Sequence, residues 1–243
     1  MKSRFTLLAL LAFVATGCSI YHPQAVNIPL VNHRGDAQVD LSVGVSSWVL
    51  PDVFTFNATG SYGVNDWLAA QAHANYGGEN AYGHLAVGAY RRLGAHGVFE
   101  GYAGFGLGGA WREAQRRDDV EDAEVARYDY SGSFLLPFMQ GNIGWRDLTG
   151  AHIDLAFGLK VGAYVPDFEY KAFSSDGELL PRHSNPYSTT NLLLEPQLQF
   201  RMGGQHLKWN ARFGFAWLSD IYGAETNLTY DWFTVSTGLT FLF

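Results

Sequence analysis

Few residues of this chain have the type and spacing that chemistry requires. The histidines are scattered without the paired spacing of a metal site, and Cys18 is the single cysteine, so no thiolate cluster can form. One histidine, His183, directly precedes a serine, Ser184. A general base must lie within hydrogen-bond reach of the hydroxyl that it activates, and adjacent loop residues do not easily reach that geometry. We therefore predict no catalytic residue, no metal site and no cofactor.

A second set of candidate residues consists of charged side chains inside otherwise apolar stretches. They are Asp154, Lys160, Glu195, Arg201 and Arg212. A charge that leaves water needs a partner of opposite sign or hydrogen-bonding groups around it, and both signs are present here. A two-residue turn at Gly203-Gly204 places Glu195 opposite Arg212, so we predict that these two side chains are in contact.

The composition limits the elements that can position these residues. Of the 243 residues, 47% are hydrophobic and only 16% are charged, whereas about a quarter are charged in an ordinary soluble domain. No apolar run beyond the N-terminal region reaches the roughly 20 residues of a membrane-spanning helix. The net charge of −7 gives no electrostatic support for a nucleic-acid partner. Two classes remain, a soluble all-β domain and a membrane barrel.

Alternation of apolar residues with a period of two favours the barrel. Along residues 153–163 every second residue is apolar, and the residues between them are small, polar or charged. One apolar and one polar face is the pattern of a strand between lipid and a polar lumen. The same pattern predicts strands at 37–47, 53–62, 67–76, 82–91, 97–111, 128–146, 152–165, 188–202, 205–218 and 228–243. We therefore predict an all-β, antiparallel up-and-down transmembrane β-barrel of about ten strands, with eight or twelve as alternatives.

The connections and the prolines refine this prediction. Short connections such as 147–151 alternate with long ones such as 166–187, as periplasmic turns alternate with extracellular loops in transmembrane barrels. An even strand number then places both termini in the periplasm of a Gram-negative-type bacterium. Pro137 and Pro196 fall inside predicted strands, where each removes a backbone donor. We expect a local defect at each of them.

Aromatic residues collect near the ends of the predicted strands. Trp111 and Trp217 lie near one end, and Trp145 and Trp209 lie near the other. Amphipathic rings are typical of the two membrane interfaces. These four tryptophans are therefore predicted to be interfacial.

The last strand ends with Leu239, Phe241 and Phe243 on one face. A terminal Phe on an alternating final strand resembles the recognition signal that the barrel assembly machinery reads. The resemblance implies that this machinery is a partner during biogenesis.

The N-terminal region has the layout of an export signal. Lys2 and Arg4 precede an apolar run, and small residues precede Cys18. Small residues followed by a cysteine resemble the lipobox of bacterial lipoproteins, which implies a diacylated Cys18 and outer-membrane lipid around its acyl chains. We divide the chain into a signal peptide at 1–17, a lipidated periplasmic tether at 18–35 and the outer-membrane barrel at 36–243. The lead-in, with Tyr21-His22-Pro23 and Asn27-Ile28-Pro29-Leu30, resembles small Bacteroidota-type barrel lipoproteins of unassigned function.

A barrel of eight to ten strands is narrow enough for side chains to fill it, and the inward candidates carry both signs of charge. We expect a non-enzymatic outer-membrane protein with a structural, anchoring or surface-interaction role. A periplasmic or surface protein is a possible partner, and Arg116 and Arg117 are candidates for contact with lipopolysaccharide phosphates. A narrow pore for small solutes is one alternative, and a hydrolase with residues at the rim is another.

Overall fold

The structure is a computed structural model that describes residues 18–21, 26–45, 54–115, 127–148, 152–181, 184, 186–219 and 228–243. Its strands are β1 Cys18–Tyr21, β2 Ala37–Val45, β3 Phe54–Gly63, β4 Leu68–Gly77, β5 Asn80–Leu93, β6 Gly97–Gln115, β7 Arg127–Trp145, β8 Asp154–Phe173, β9 Pro186–Tyr187, β10 Asn191–Gly203, β11 Leu207–Phe215, β12 Trp217–Leu218, β13 Leu228–Tyr230 and β14 Phe233–Leu242. No helix in these ranges is long and apolar enough to cross a membrane.

Ten of these strands form one closed antiparallel sheet. Each of β2 to β8 pairs with the next strand in the chain, β8 pairs with β10, β10 with β11, and β11 with β14. The sheet closes because β14 pairs with β2, from Leu242 opposite Gln38 to Val235 opposite Val45. The predicted fold class, an antiparallel up-and-down β-barrel of ten strands, is confirmed.

The burial of the side chains is inverted relative to a soluble protein. Large apolar residues on the strands face outward, with Leu85 70% and Met139 71% exposed, whereas Arg201 and Arg212 are 1% exposed. Alternation along each strand sends successive side chains to opposite faces, so the apolar set covers the outside and the polar set fills the lumen. This distribution is that of a barrel surrounded by lipid.

The two ends of the barrel differ. At the turn end, the connections span residues 64–67, 94–96, 146–153 and 204–206, and β2 begins and β14 ends there. The opposite end, the loop end, has the two-residue connection 78–79 but also longer connections, including 174–190. The strands β6, β7 and β8 are 19, 19 and 20 residues long, about twice the 9–11 residues that cross a membrane. Their excess length projects at the loop end.

Each of the two prolines coincides with an interrupted pairing on one side of its strand, as expected. Opposite β8, the pairing of β7 is continuous except at residues 136 and 137, where Pro137 supplies no N–H. The strand itself is neither shortened nor split. Pro196 lies opposite Leu159 in an uninterrupted ladder with β8. On the other side of β10 the pairing is interrupted at residues 195 and 196, between the ladder with β12 and the ladder with β11.

Candidate functional site: the filled lumen

The inward-facing polar residues form an ion-pair network within the lumen. Asp154 forms ion pairs with two cations: Arg201 Nε lies 3.2 Å from its Oδ2, and Lys208 Nζ donates to its Oδ1 at 2.6 Å. Arg212 Nη2 lies 2.6 Å from Asp40 Oδ2. All five side chains are at most 2% exposed. The low dielectric of the interior strengthens such pairs, but each charge depends on its partner.

The predicted pairing of Glu195 with Arg212 is wrong in register. Gly204 N donates to Leu207 O at 2.8 Å, so Gln205 and His206, and not the two glycines, occupy the centre of the turn. The ladder therefore places Arg212 opposite Gln199, whose Oε1 accepts from Arg212 Nε at 2.9 Å. The shift is an even number of residues, so both side chains still face the lumen.

Glu195 pairs across the other edge of β10. It lies opposite Lys160 of β8, and its Oε2 is 3.2 Å from Lys160 Nζ. Its Oε1 accepts a hydrogen bond of 2.6 Å from the hydroxyl of Tyr21. The Lys160 ammonium also lies over the rings of Tyr82 and Phe138, 5.8 and 5.1 Å from their centroids, where a cation is attracted electrostatically.

The structure corrects the expected periplasmic tether. Tyr21 and residues 26–31 belong to that predicted range and lie inside the barrel. Their large apolar side chains are at most 2% exposed: Tyr21, Val26, Ile28, Leu30 and Val31. We call residues 18–21 and 26–31 the luminal segment. Among the described residues of that range, 32–35 turn into β2, include the exposed Arg34 and lie outside the lumen at the turn end. The described part of the predicted tether is thus mostly inside the folded barrel.

Side chains of the wall satisfy the backbone of the luminal segment. Gln140 Nε2 donates to Asn27 O at 2.7 Å, and Gln199 Nε2 donates to Ile28 O at 2.8 Å. Val31 N donates to Glu100 Oε1 at 2.7 Å. A buried backbone group without a partner is costly, so these wall side chains make the lumen a specific site for an extended chain.

Two glycines of the wall leave room for apolar side chains of the luminal segment. A Cβ at Gly144 would lie 2.7 Å from Leu30 Cδ2, and a Cβ at Gly158 would lie 2.9 Å from Ile28 Cδ1. Both distances are shorter than carbon–carbon contacts allow. The close approach of Ile28 and Leu30 to β7 and β8 therefore depends on glycine at these positions.

Aromatic side chains close the lumen towards the loop end. The Tyr21 ring packs edge-on against Tyr164 and Phe134, with centroids 5.2 and 6.0 Å apart. The surrounding buried cluster also contains Tyr82, Tyr130, Phe168, Tyr170, Tyr187 and Tyr230. Edge-to-face packing is a favourable arrangement for aromatic rings, so this layer is a packed core rather than an open channel.

Ion pairs hold the luminal segment at the turn end. Arg146 Nη1 binds Leu30 O at 3.1 Å and Asp36 Oδ2 at 2.5 Å. Nearby, Asp147 in the turn after β7 accepts from Lys208 Nζ at 2.9 Å. Burial by itself raises the pKa of Asp147, but the hydrogen bond and the charge of Lys208 outweigh it and hold the pKa below its ordinary value.

The lumen wall on β3, β4 and β5 is polar but uncharged. His73 and His84 stack there with ring centroids 5.0 Å apart, and neither ring has a hydrogen-bond partner in the described part of the chain. The described residues contain no group of three or more potential metal ligands. The two rings also pack against aromatic neighbours, His73 against Tyr82 and His84 against Phe138, with centroids 5.9 and 4.9 Å apart.

The rim residues can be placed only in part. Ser184 Oγ donates to Leu180 O at 3.0 Å and accepts from Ala172 N at 3.1 Å. Its hydroxyl is thus engaged with the backbone of the loop end. Residues 1–17, Arg116, Arg117 and His183 lie outside the described residues.

The four tryptophans predicted to be interfacial face outward near the two ends of the barrel. Trp111 and Trp217 are at the loop end, and Trp145 and Trp209 are at the turn end, with 42–48% of each side chain exposed. On β14, Leu239 and Phe241 also face outward, and Phe243 N donates to Ala37 O at 2.9 Å beyond the last ladder pair.

Comparison with known proteins assigns no family. No family model matches the chain, and no curated protein matches it. Among solved structures, the translocator domain of the autotransporter NalP from Neisseria meningitidis is similar with a TM-score of 0.40 and 13% identity, covering 100% of this chain and 95% of that one. A bacterial polysaccharide outer membrane secretin has a TM-score of 0.26 and 10% identity, covering 88% and 99%. Similarity at this level does not assign a function, and the barrel is defined by its own strand pairing.

Proposed function

We propose that this protein is an outer-membrane β-barrel lipoprotein with a closed lumen and a structural, anchoring or surface-interaction role. The observation that carries the proposal is the occupation of the lumen by the chain's own luminal segment. Wall side chains satisfy its backbone, and its apolar side chains fill the space between them. A permanent pore needs a continuous hydrated path, whereas this lumen is packed.

The outer membrane is the location that the surface of the barrel supports. Closed barrels satisfy every backbone group inside lipid, and the apolar exterior between the two sets of tryptophans fits an acyl-chain environment. The export signal and the terminal Phe243 support delivery by the barrel assembly machinery. A periplasmic or surface protein partner remains part of the proposal, and co-purification from gently solubilised outer membranes tests it.

Conductance of the purified protein in planar bilayers tests the closed lumen. We expect no stable current from the wild type. In a variant with Ile28→Asp and Leu30→Asp, two buried charges without partners displace the luminal segment, so current should appear. His33→Asp with Arg34→Asp is the matched control, because these exposed residues belong to the same part of the chain; this variant should remain silent. Retained heat-modifiable electrophoretic mobility shows that each variant is folded. A steady wild-type current would overturn the proposal and favour the narrow pore.

The hydrolase alternative has a separate test. Ser184→Ala should leave any ester-hydrolysis readout of the purified barrel unchanged, because the Ser184 hydroxyl already binds the loop backbone. Loss of a measurable hydrolysis rate in this variant would favour an enzyme.

A further inference from the structure

We infer that the chain crosses the membrane inside its own barrel, so that Cys18 emerges at the outer surface while Phe243 lies on the periplasmic side. The inference rests on the proposed outer-membrane function. It reverses the expectation that a lipid on Cys18 sits beside the periplasmic ends of the strands.

The direction of the luminal segment is fixed by its contacts with β10. From the turn end upward, Arg201, Gln199, Gln197 and Glu195 are successive inward-facing residues of that strand. Arg201 donates to Pro29 O at 3.1 Å, and Gln199 donates to Ile28 O at 2.8 Å. Further up, Gln197 accepts from Val26 N, and Glu195 accepts from the hydroxyl of Tyr21 at 2.6 Å. The luminal segment therefore runs parallel to β10 through the depth of the lumen.

Both ends of this path are held. At the turn end, Arg146 binds Leu30 O and Asp36, and Gly35 N donates to Gly63 O at 2.8 Å. At the loop end, β1 pairs in parallel with β13, with Cys18 opposite Leu228, and Asp231 N donates to Tyr21 O at 3.0 Å. Because β13 belongs to the connection between β12 and β14 at the loop end, the backbone of Cys18 lies at the mouth opposite to Phe243.

The membrane orientation follows from the two ends of the barrel. In transmembrane barrels the short turns face the periplasm and the long loops face outward, and here β6, β7 and β8 project at the loop end. Cys18 therefore lies on the outer side. The acyl group proposed for Cys18 would therefore enter the outer leaflet.

Labelling of cells with a membrane-impermeant maleimide tests this topology. We expect Ser19→Cys to react on intact cells as strongly as Asp176→Cys, which marks an exposed turn at the loop end. Arg34→Cys, at the exposed turn end, should react only after the outer membrane is permeabilised. The unsubstituted protein gives the background of Cys18. Ser19→Cys that reacts only after permeabilisation, like Arg34→Cys, would overturn the inference. If Arg34→Cys reacts on intact cells and Asp176→Cys reacts only after permeabilisation, the proposed orientation of the barrel in the membrane is wrong instead.

If Ser19→Cys reacts with the maleimide neither on intact nor on permeabilised cells, a cross-link tests the inference. The Cβ position of Gly158 lies within 3.1 Å of Ile28 Cγ1, and Ile28→Cys removes the Cδ1 atom that a Cβ at this position would otherwise meet at 2.9 Å. Ile28→Cys with Gly158→Cys, checked for folding by its heat-modifiable mobility, should therefore form a disulfide across the lumen. Arg34→Cys with Gly158→Cys is the matched control and should not form one. The cross-link in the first pair alone supports passage through the lumen, and its absence overturns it.

Discussion

Two regions of the lumen wall solve the problem of buried polar groups differently. The charged wall, on β2, β8, β10 and β11, binds each cation to a carboxylate within 3.2 Å. The neutral wall, on β3, β4 and β5, contains amides, hydroxyls and the stacked His73 and His84 in place of ion pairs. Polar atoms without a hydrogen-bond partner among the described residues occur in both walls. Paired charges make the first region intolerant of change, whereas neutral groups can lose a partner at modest cost.

The luminal segment follows this difference. Its backbone binds mainly to Arg201, Gln199 and Gln197 of β10 and to Gln140 and Glu100 of β7 and β6. From β4, Gln71 contributes a longer bond of 3.3 Å to Asn27. The charged wall and its neighbours thus form the binding surface for the luminal segment, and the neutral wall completes the packing.

The largest effect is expected from Asp154→Asn. The substitution leaves Arg201 without its carboxylate and removes one of two partners of Lys208, so the free energy of unfolding should fall by about 3–5 kcal/mol. Urea-induced unfolding in lipid vesicles measures the change. The control Asp176→Asn lies on an exposed turn and should change the stability by less than about 0.5 kcal/mol. Equal stability of the two variants would remove the distinction between the walls.

A much smaller effect is expected in the neutral wall. His73→Leu and His84→Leu each remove ring nitrogens that have no hydrogen-bond partner in the described residues, so each should change the free energy of unfolding by no more than about 1 kcal/mol in either direction. The same urea titration applies. A loss as large as that of Asp154→Asn would show that the histidines bind a group that stabilises the barrel.

The smallest effect is expected at Asp147, which lies at the turn end with 47% of its side chain exposed. Lys208 lowers the pKa of Asp147 in the folded state from the ordinary value of 3.8. The carboxylate therefore stabilises the fold above that ordinary value, and the stabilisation is lost as the pH falls through the lower folded value. Asp147→Asn should cost at most about 0.5 kcal/mol at pH 7, because solvent screens the pair. Unfolding curves from pH 7 to pH 3 should converge for variant and wild type, and a constant difference would contradict the assignment.

The strands and their faces were accessible from the sequence because each strand has one apolar and one polar face. Alternation along residues 153–163 identified β8 and its inward Asp154 and Lys160, and the structure places both in the lumen. The register of β10 against β11 could not be predicted from the sequence. Gly203 and Gly204 are typical turn residues and predicted the turn at their own position, but Gln205 and His206 form it. A shift by an even number of residues preserves the faces and changes every partner.

The path of residues 26–31 was not accessible either. Two prolines and the lack of sustained alternation indicated a tether, although Val26, Ile28, Leu30 and Val31 are apolar residues that a solvated tether does not need. That apolar content was the available signal. Its interpretation required knowing that Gln140, Gln199 and Glu100 from three different strands meet the same stretch of backbone.

The sequence by itself determined a closed barrel with an apolar exterior, because the side-chain period of a strand is local and lipid selects the outward face. Only the tertiary structure decided the contents of the lumen, because the partners there come from different strands and are far apart in the sequence, by more than a hundred positions for Gln199 and Ile28. Closure of the sheet creates that interior, and no short stretch of sequence contains it.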